Sequence, residues 1–214
     1  MSAAFAEKVF VYIVESPSPV DLYDGRGESR TLASALDLMG LQSVTRLVVD
    51  KRRFIEALTA GVRNACADLR RTKLILHISA HGCDERDGLV LTSGELVTWD
   101  ELRMHLLPLN KLTGGLVVSM SSCYGFSACQ TAMQDGELPY WLLNGPISNV
   151  SWRESALWFV TYYYNLMMKL DPIAAGRAAN AAIGDENKFR FNEAKIAQSI
   201  ATGTAPNQPT IDKQ

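Results

Sequence analysis

Two side chains stand out for what they could do together. His81 closes the apolar run Lys73-Leu74-Ile75-Leu76-His77-Ile78-Ser79-Ala80 and is followed by Gly82. Cys123 closes the run Gly115-Leu116-Val117-Val118-Ser119-Met120-Ser121-Ser122 and is followed by Tyr124-Gly125. A thiol of ordinary pKa, about 8.5, is only a few per cent thiolate at neutral pH, so an imidazole must take its proton or pair with the anion. The same imidazole can then protonate a leaving amine. The chemistry is acyl transfer, with Cys123 as nucleophile and His81 as general acid and base. The developing oxyanion needs donors, and a glycine after the histidine lets a backbone N–H approach without a Cβ in the way. Gly82 N–H and Cys123 N–H are therefore the candidate oxyanion hole.

Such a pair must be held by elements that meet at one place. Both runs read as buried strands, and strands of an open parallel sheet deliver their terminal residues to its carboxyl edge, where such folds place their sites. Val9 to Val14 is β-branched and aromatic and predicts a first strand. A helix follows over Glu28 to Met39, closed by Gly40. Val44 to Val49 predicts a second strand, and Arg53 to Leu69 a second helix with apolar residues at helical spacing. After His81, Gly88 to Leu91 and Glu95 to Thr98 flank Thr92-Ser93-Gly94, a hairpin signal. A short helix over Trp99 to Leu107 starts at Thr98. Beyond Cys123, Tyr140 to Leu143 predicts another strand and Ser155 to Leu170 a long helix. The stretch Trp158 to Met168 is apolar nearly all round, the pattern of core burial first and of an oligomer face second. Asp171-Pro172 restarts the helix as cap and first turn. This alternation predicts an α/β fold with a mainly parallel central sheet flanked by helices, in one domain over residues 1–201. From Thr202 to Gln214 the composition predicts a loose tail.

The 214 residues are 47% hydrophobic, enough for one full core. Twenty-one basic against 23 acidic residues leave no electrostatic footprint for nucleic acid or an anionic membrane. No run approaches the roughly 18 apolar residues of a membrane helix, and the start lacks the pattern of a signal peptide, so a cytoplasmic location is expected. Cys66, Cys83, Cys123 and Cys129 show no pairing pattern and are expected to be free thiols. Cys83 could join His77 and Cys123 in a metal cluster, but the spacing matches no zinc-ligand pattern and His77 alternates away from Ala80. No metal or other cofactor is expected. Cys66 and Cys129 read as core thiols on helices, and His105 as a surface or helix-end residue.

These residues resemble those of the caspase-like cysteine peptidases, a group that includes caspases, metacaspases and the bacterial caspase-like CHAT proteins. The resemblance runs in order over most of residues 8–183. Ser79-Ala80-His81-Gly82 resembles the family's catalytic His-Gly, and Leu89 to Leu107 resembles the segment that follows it. Ser121-Ser122-Cys123-Tyr124-Gly125 resembles the nucleophile motif, 42 positions after His81 against roughly 50 in caspases. Val150-Ser151-Trp152-Arg153 with Trp158-Phe159 resembles the stretch that lines the substrate groove. The resemblance implies a three-layer caspase-like fold, a Cys–His dyad with no obligatory third carboxylate, a thioester acyl-enzyme and a protein or peptide substrate.

It also bears on P1, the residue whose carbonyl is attacked. Caspases hold an acidic P1 with an Arg after the first strand, an Arg after the groove's Ser-Trp and a Gln two positions before the nucleophile. Arg26 and Arg153, the latter after Ser151-Trp152, match two of these, and an Arg pair can grip a carboxylate bidentately. Ser121 departs from the Gln and equally from the Asp that metacaspases place there for basic P1. Arg26 and Arg153 read equally as solvated charges, and Asp21 and Asp24 could instead line a basic-P1 pocket. Phe126 to Pro139 is short and helical in character, with no excised linker, so activity is expected without cutting, set by an activating partner protein or a homodimer. The alternatives are a catalytically inactive caspase-fold interaction module and a thiol acyl transferase or ligase on the same dyad.

Overall fold

Every residue of the first strand, β1 (Val9–Ser16), is buried. Val9, Val11 and Ile13 point to one face and Phe10, Tyr12 and Val14 to the other, so the strand must be covered on both sides. The computed structural model describes residues 9–66, 68–169 and 171–202. In it β1 lies in parallel between β2 (Gln42–Leu47) and β3 (Lys73–Gly82). Next to β3 runs β6 (Val117–Ser121), then β7 (Leu142–Pro146), both parallel, and the antiparallel β8 (Phe189–Glu193) ends the order β2-β1-β3-β6-β7-β8. The protein is thus α/β, with a mainly parallel mixed sheet of six strands flanked by helices. A hairpin of β4 (Gly88–Val90) and β5 (Leu96–Thr98) extends the end of β3, with His81 opposite Val90.

One sheet face carries Tyr12, Leu76 and Ile78 against Phe54 of α3 (Lys51–Glu56), Val62 of α4 (Val62–Ala65) and Leu102 and Leu106 of α5 (Trp99–Thr113). The other carries Val11, Ile13 and Ile75 against Leu32 and Leu36 of α2 (Glu28–Leu38), Trp158 and Phe159 of α6 (Trp152–Lys169) and Ala175 and Ala179 of α7 (Pro172–Ala182). Within this second layer Trp158 stacks on Tyr162 at 4.9 Å and on Phe189 at 4.2 Å, so α6 serves the core as its pattern suggests. Leu157, Tyr164 and Met168 of the same helix remain exposed. No helix among the described residues is long and apolar enough to cross a membrane.

Several elements depart from the sequence expectations for local reasons. The predicted helix from Arg53 to Leu69 is interrupted by a π-turn, Ala57–Gly61, and a separate 3₁₀ turn, Leu69–Arg71. Tyr12 reaches out of the sheet to donate its hydroxyl to Ala57 O at 3.0 Å, and a Cβ on Gly61 would stand 2.6 Å from that hydroxyl. The intruding phenol displaces the helical ladder, a recognised origin of π-bulges. By contrast α5 runs six residues past its predicted end, through Pro108, because Leu106 and Leu109 keep its apolar stripe on the core. β2 sits two residues earlier than predicted, and β7 two later. His105 lies half-buried in the middle of α5 rather than at an end, and burial lowers its pKa. Three elements have no counterpart in the expectations: α1 (Pro19–Tyr23), β8 and α8 (Ala194–Ala201). Of the tail expected from Thr202, all but Thr202 lies outside the described residues.

The connection after β6 is anchored. Residues 125–132 form a 3₁₀ segment, and buried Arg103 of α5 donates to the carbonyls of Thr131, Glu137 (2.9 Å) and Asp135 (3.5 Å). Asn110 adds a bond to Leu138 O at 2.9 Å. Arg103→Met would leave those carbonyls short of donors. It is expected to cost about 2–4 kcal/mol, lowering Tm by about 5–15 °C, and to open residues 126–139 to limited proteolysis, which a thermal melt and peptide mapping would read.

Candidate active site

The register of two neighbouring strands brings the reactive groups together. β3 and β6 pair with Ser79 opposite Ser121, and His81 and Cys123 each lie two positions further on. Side chains two apart share a face, so His77 and Ser79 align beside Ser119 and Ser121 on the α2–α6 side, and the turn after β6 brings Cys123 to the cavity that His81 also lines. Both reactive residues emerge at the carboxyl edge of a parallel sheet.

The turn carrying Cys123 is tight. Tyr124 adopts a left-handed conformation (φ 55°), Gly125 N–H bonds Ser122 O at 2.9 Å, and Tyr124 N–H bonds Ser148 O at 3.1 Å. Arg86, in the loop after His81, is the other non-glycine residue with positive φ among the described residues (60°), and its guanidinium lies 4.0 Å from the Tyr124 ring centre. Left-handed backbone at two bulky residues is unfavourable, and a cation–π contact offsets part of it while tying the two loops together. Behind that contact Gly82 is pressed on the Cys123 backbone: a Cβ there would fall inside the Cys123 carbonyl oxygen's shell and 3.3 Å from Cys123 Cβ.

A cavity of about 170 Å³ opens beside the sulfur, lined by Ala80, His81, Ser121, Ser122, Cys123, Val150, Ser151, Trp152 and Ser155. Val150 N–H donates to Cys123 Sγ at 3.5 Å, and the Trp152 ring meets the His81 ring edge-on at 5.7 Å. A larger cavity of about 600 Å³ lies at the opposite, amino edge of the sheet, along Val9, Lys73, Val117 and Trp141, remote from this chemistry.

Among the sequence-predicted site residues, the structure gathers His81, Ser121, Cys123, Ser151 and Trp152 around one cavity, with Gly82 packed behind Cys123. Arg26 and Arg153 lie outside it. The Arg26 side chain is 61% exposed and pairs with Asp24 and, at 3.7 Å, with Asp21; Arg153 is exposed at the start of α6. Neither Asp21 nor Asp24 lines the cavity. Cys83 is buried away from His77, its thiol donating to Asp87 Oδ1 at 2.9 Å, and burial pushes its pKa up. It forms with Glu85 and Asp87 a group whose donor atoms lie within 4.8 Å of one another. Cys129 is buried in the 3₁₀ segment, with its thiol pKa raised by burial, and Cys66 caps α4 beside Thr72.

Asp21 belongs to the site in another way. It sits in the short helix α1 (Pro19–Tyr23), with Oδ2 3.7 Å from His81 Nε2 and 3.4 Å from Trp152 Nε1, which donates to it. The hydrogen bond from Ser18 (2.7 Å) holds its carboxyl below the ordinary carboxylate range, so a negative charge stands behind the imidazole at neutral pH. A depressed folded-state pKa stabilises fully above the unfolded value and loses that contribution as pH falls through the folded value. Asp21→Asn is accordingly expected to reduce kcat/KM about two- to fivefold at neutral pH, the scale of a partly exposed ion pair. The stability difference from wild type should vanish on acidification, as melts at several pH values would show.

Sequence reasoning also missed a buried acid. Glu28, the first residue of α2, is 2% exposed. Its Oε2 accepts from Ser121 Oγ and from Ser79 Oγ (3.0 Å) and lies 3.5 Å from His77 Nε2. The signal was present: Glu28, Leu32 and Leu36, at i, i+4 and i+8, place a carboxylate on the helix's buried stripe. Among known proteins, no family model matches this chain and no curated sequence matches it.

Proposed function

We propose that this protein is a caspase-like cysteine endopeptidase. The observation that carries the reading is the delivery of His81, at the end of β3, and Cys123, in the turn after the adjacent parallel β6, to a single cavity at the sheet's carboxyl edge. His81 takes the thiol proton, and Cys123 sulfur attacks the peptide carbonyl. The tetrahedral oxyanion forms beside the backbone N–H groups of Cys123 and Gly82. His81 then gives its proton to the leaving amine, and the thioester remains. Water, deprotonated by His81, attacks that thioester and releases the new carboxylate with the thiol restored. Asp21 steadies the imidazolium that exists between these proton transfers.

The six-stranded sheet with helices on both faces is compatible with the three-layer caspase-like arrangement, and free thiols suit a reducing cytoplasm. The anchored connection after β6 favours activity in the uncut chain, with a partner or homodimer as the switch. The test is a peptide-library cleavage profile of wild type and Cys123→Ala, with reductant at neutral pH. Cleavage lost in the variant supports the endopeptidase. Cleavage retained in the variant refutes it. Silence in both, with a partner protein captured equally by both, supports the inactive interaction module instead.

A further inference from the structure

The floor of the cavity beside Cys123 takes its charge from below. Ser121 and Ser155 line it with hydroxyl oxygens 2.5 Å apart, and Ser121 donates onward to Glu28 Oε2. The other carboxylate oxygen, Oε1, is buried and has no hydrogen-bond partner among the described residues. A buried carboxylate oxygen without a donor is unfavourable, and a site that binds a cation is one setting in which such an oxygen is useful.

Among the described residues no Lys or Arg pairs with Glu28, and its ion-pair neighbour is the His77 ring at 3.5 Å. That ring is itself held in the core, its Nδ1 hydrogen-bonded to the Tyr163 hydroxyl at 3.0 Å. The second buried acid nearby, Glu15, is occupied at the start of α2, accepting from Ser29 N–H (2.8 Å) and Ser29 Oγ (2.5 Å). None of the nine lining residues is Lys or Arg, and Arg26 is held outside by aspartates.

We infer that this cavity is the P1 pocket and that Glu28 sets its preference for a basic side chain, Lys or Arg. The inference rests on the endopeptidase reading. A P1 ammonium or guanidinium entering the cavity meets the hydrogen-bonded Ser121–Ser155 pair and donates to its oxygens. Each hydroxyl can accept from the cation while donating onward, so Ser121 couples the cation to Glu28. An acidic P1 would bring a second carboxylate toward Glu28 with no cation facing it. Charge-assisted hydrogen bonds of this kind correspond to about 10- to 100-fold in discrimination.

Peptidyl acyloxymethyl ketones that differ only in P1, carrying Arg, Lys, Leu or Asp, test this through the rate at which they label Cys123 in the full chain. Labelling needs the dyad and the pocket but not turnover. Arg and Lys probes are expected to label about 10- to 100-fold faster than Leu, with Asp slowest. In Glu28→Gln the Arg-over-Leu ratio should collapse toward one, while Glu28→Asp, which keeps the charge, should retain part of it. If the Asp or Leu probe labels Cys123 as fast as Arg, the basic pocket is overturned and the peptidase reading stands. If no probe labels Cys123, both fall. Should Glu28→Gln fail to fold, the wild-type ratios alone decide.

Discussion

Cys123→Ala is expected to lower kcat/KM for peptide hydrolysis by about 10⁴-fold or more, with a Tm within about 3 °C of wild type. The two halves of this expectation have separate physical causes. In the proposed mechanism the sulfur is the atom that forms the acyl bond, and no other cysteine among the described residues borders the cavity. Its removal deletes the covalent route rather than weakening it. Stability is spared because the side chain is only half-buried in the wall of an open cavity, and its sulfur has only weak contacts with Val150. His81→Ala should lose nearly as much activity, and the double variant little more, because dyad members act as a unit. Cys66→Ala serves as the contrast: that thiol lies at the end of α4 beside Thr72, and its loss should leave turnover mostly intact. Equal turnover by Cys123→Ala and Cys66→Ala would remove Cys123 from the mechanism.

What could be read from the sequence, and what could not, divides along the range of the interactions involved. β3 and β6 were legible because their apolar runs are continuous, the mark of strands covered on both faces. The β4–β5 hairpin announced itself through Ser93-Gly94. Tyr12 shows the opposite case: nothing local says that its hydroxyl will take Ala57 O from a helix 45 residues away, so the π-turn could not be foreseen. β8 is a short edge strand whose existence depends on pairing with β7, again a partner distant in sequence. The same division holds in the site. That His81 and Cys123 would meet at one sheet edge was legible from strand ends and flanking glycines. Asp21 was noted as an acid but not as the one behind His81, because that placement depends on how α1 folds back across the end of β3. Arg26 and Arg153 matched by position alone, and position says nothing about the aspartates that now hold Arg26 away from the cavity.

Gly82→Ala separates the role of the backbone from that of the side chains. The new methyl would enter the space of the Cys123 carbonyl oxygen, and Cys123 C would stand only 2.9 Å from it. Backbone cannot swing aside as a flexible side-chain tip can, so either the end of β3 or the turn after β6 must move. Both are constrained: Gly82 is paired opposite Leu89 of β4, and Tyr124 is fixed by Ser148 O and the Arg86 guanidinium. Overpacking of this kind costs about 1–3 kcal/mol, which predicts a fall in Tm of about 3–10 °C. The displacement lands on Cys123, the proposed nucleophile, and a misplacement of about 1 Å is enough for a 10²-fold loss of rate. Gly82→Ala is therefore expected to lose at least about 100-fold in kcat/KM together with stability, where Cys123→Ala loses activity alone. Melts and steady-state kinetics on the two variants distinguish these patterns. A Gly82→Ala protein with wild-type Tm and rate would mean that the loops bearing His81 and Cys123 do not meet as described, and the shared cavity on which the peptidase proposal stands would go with that contact.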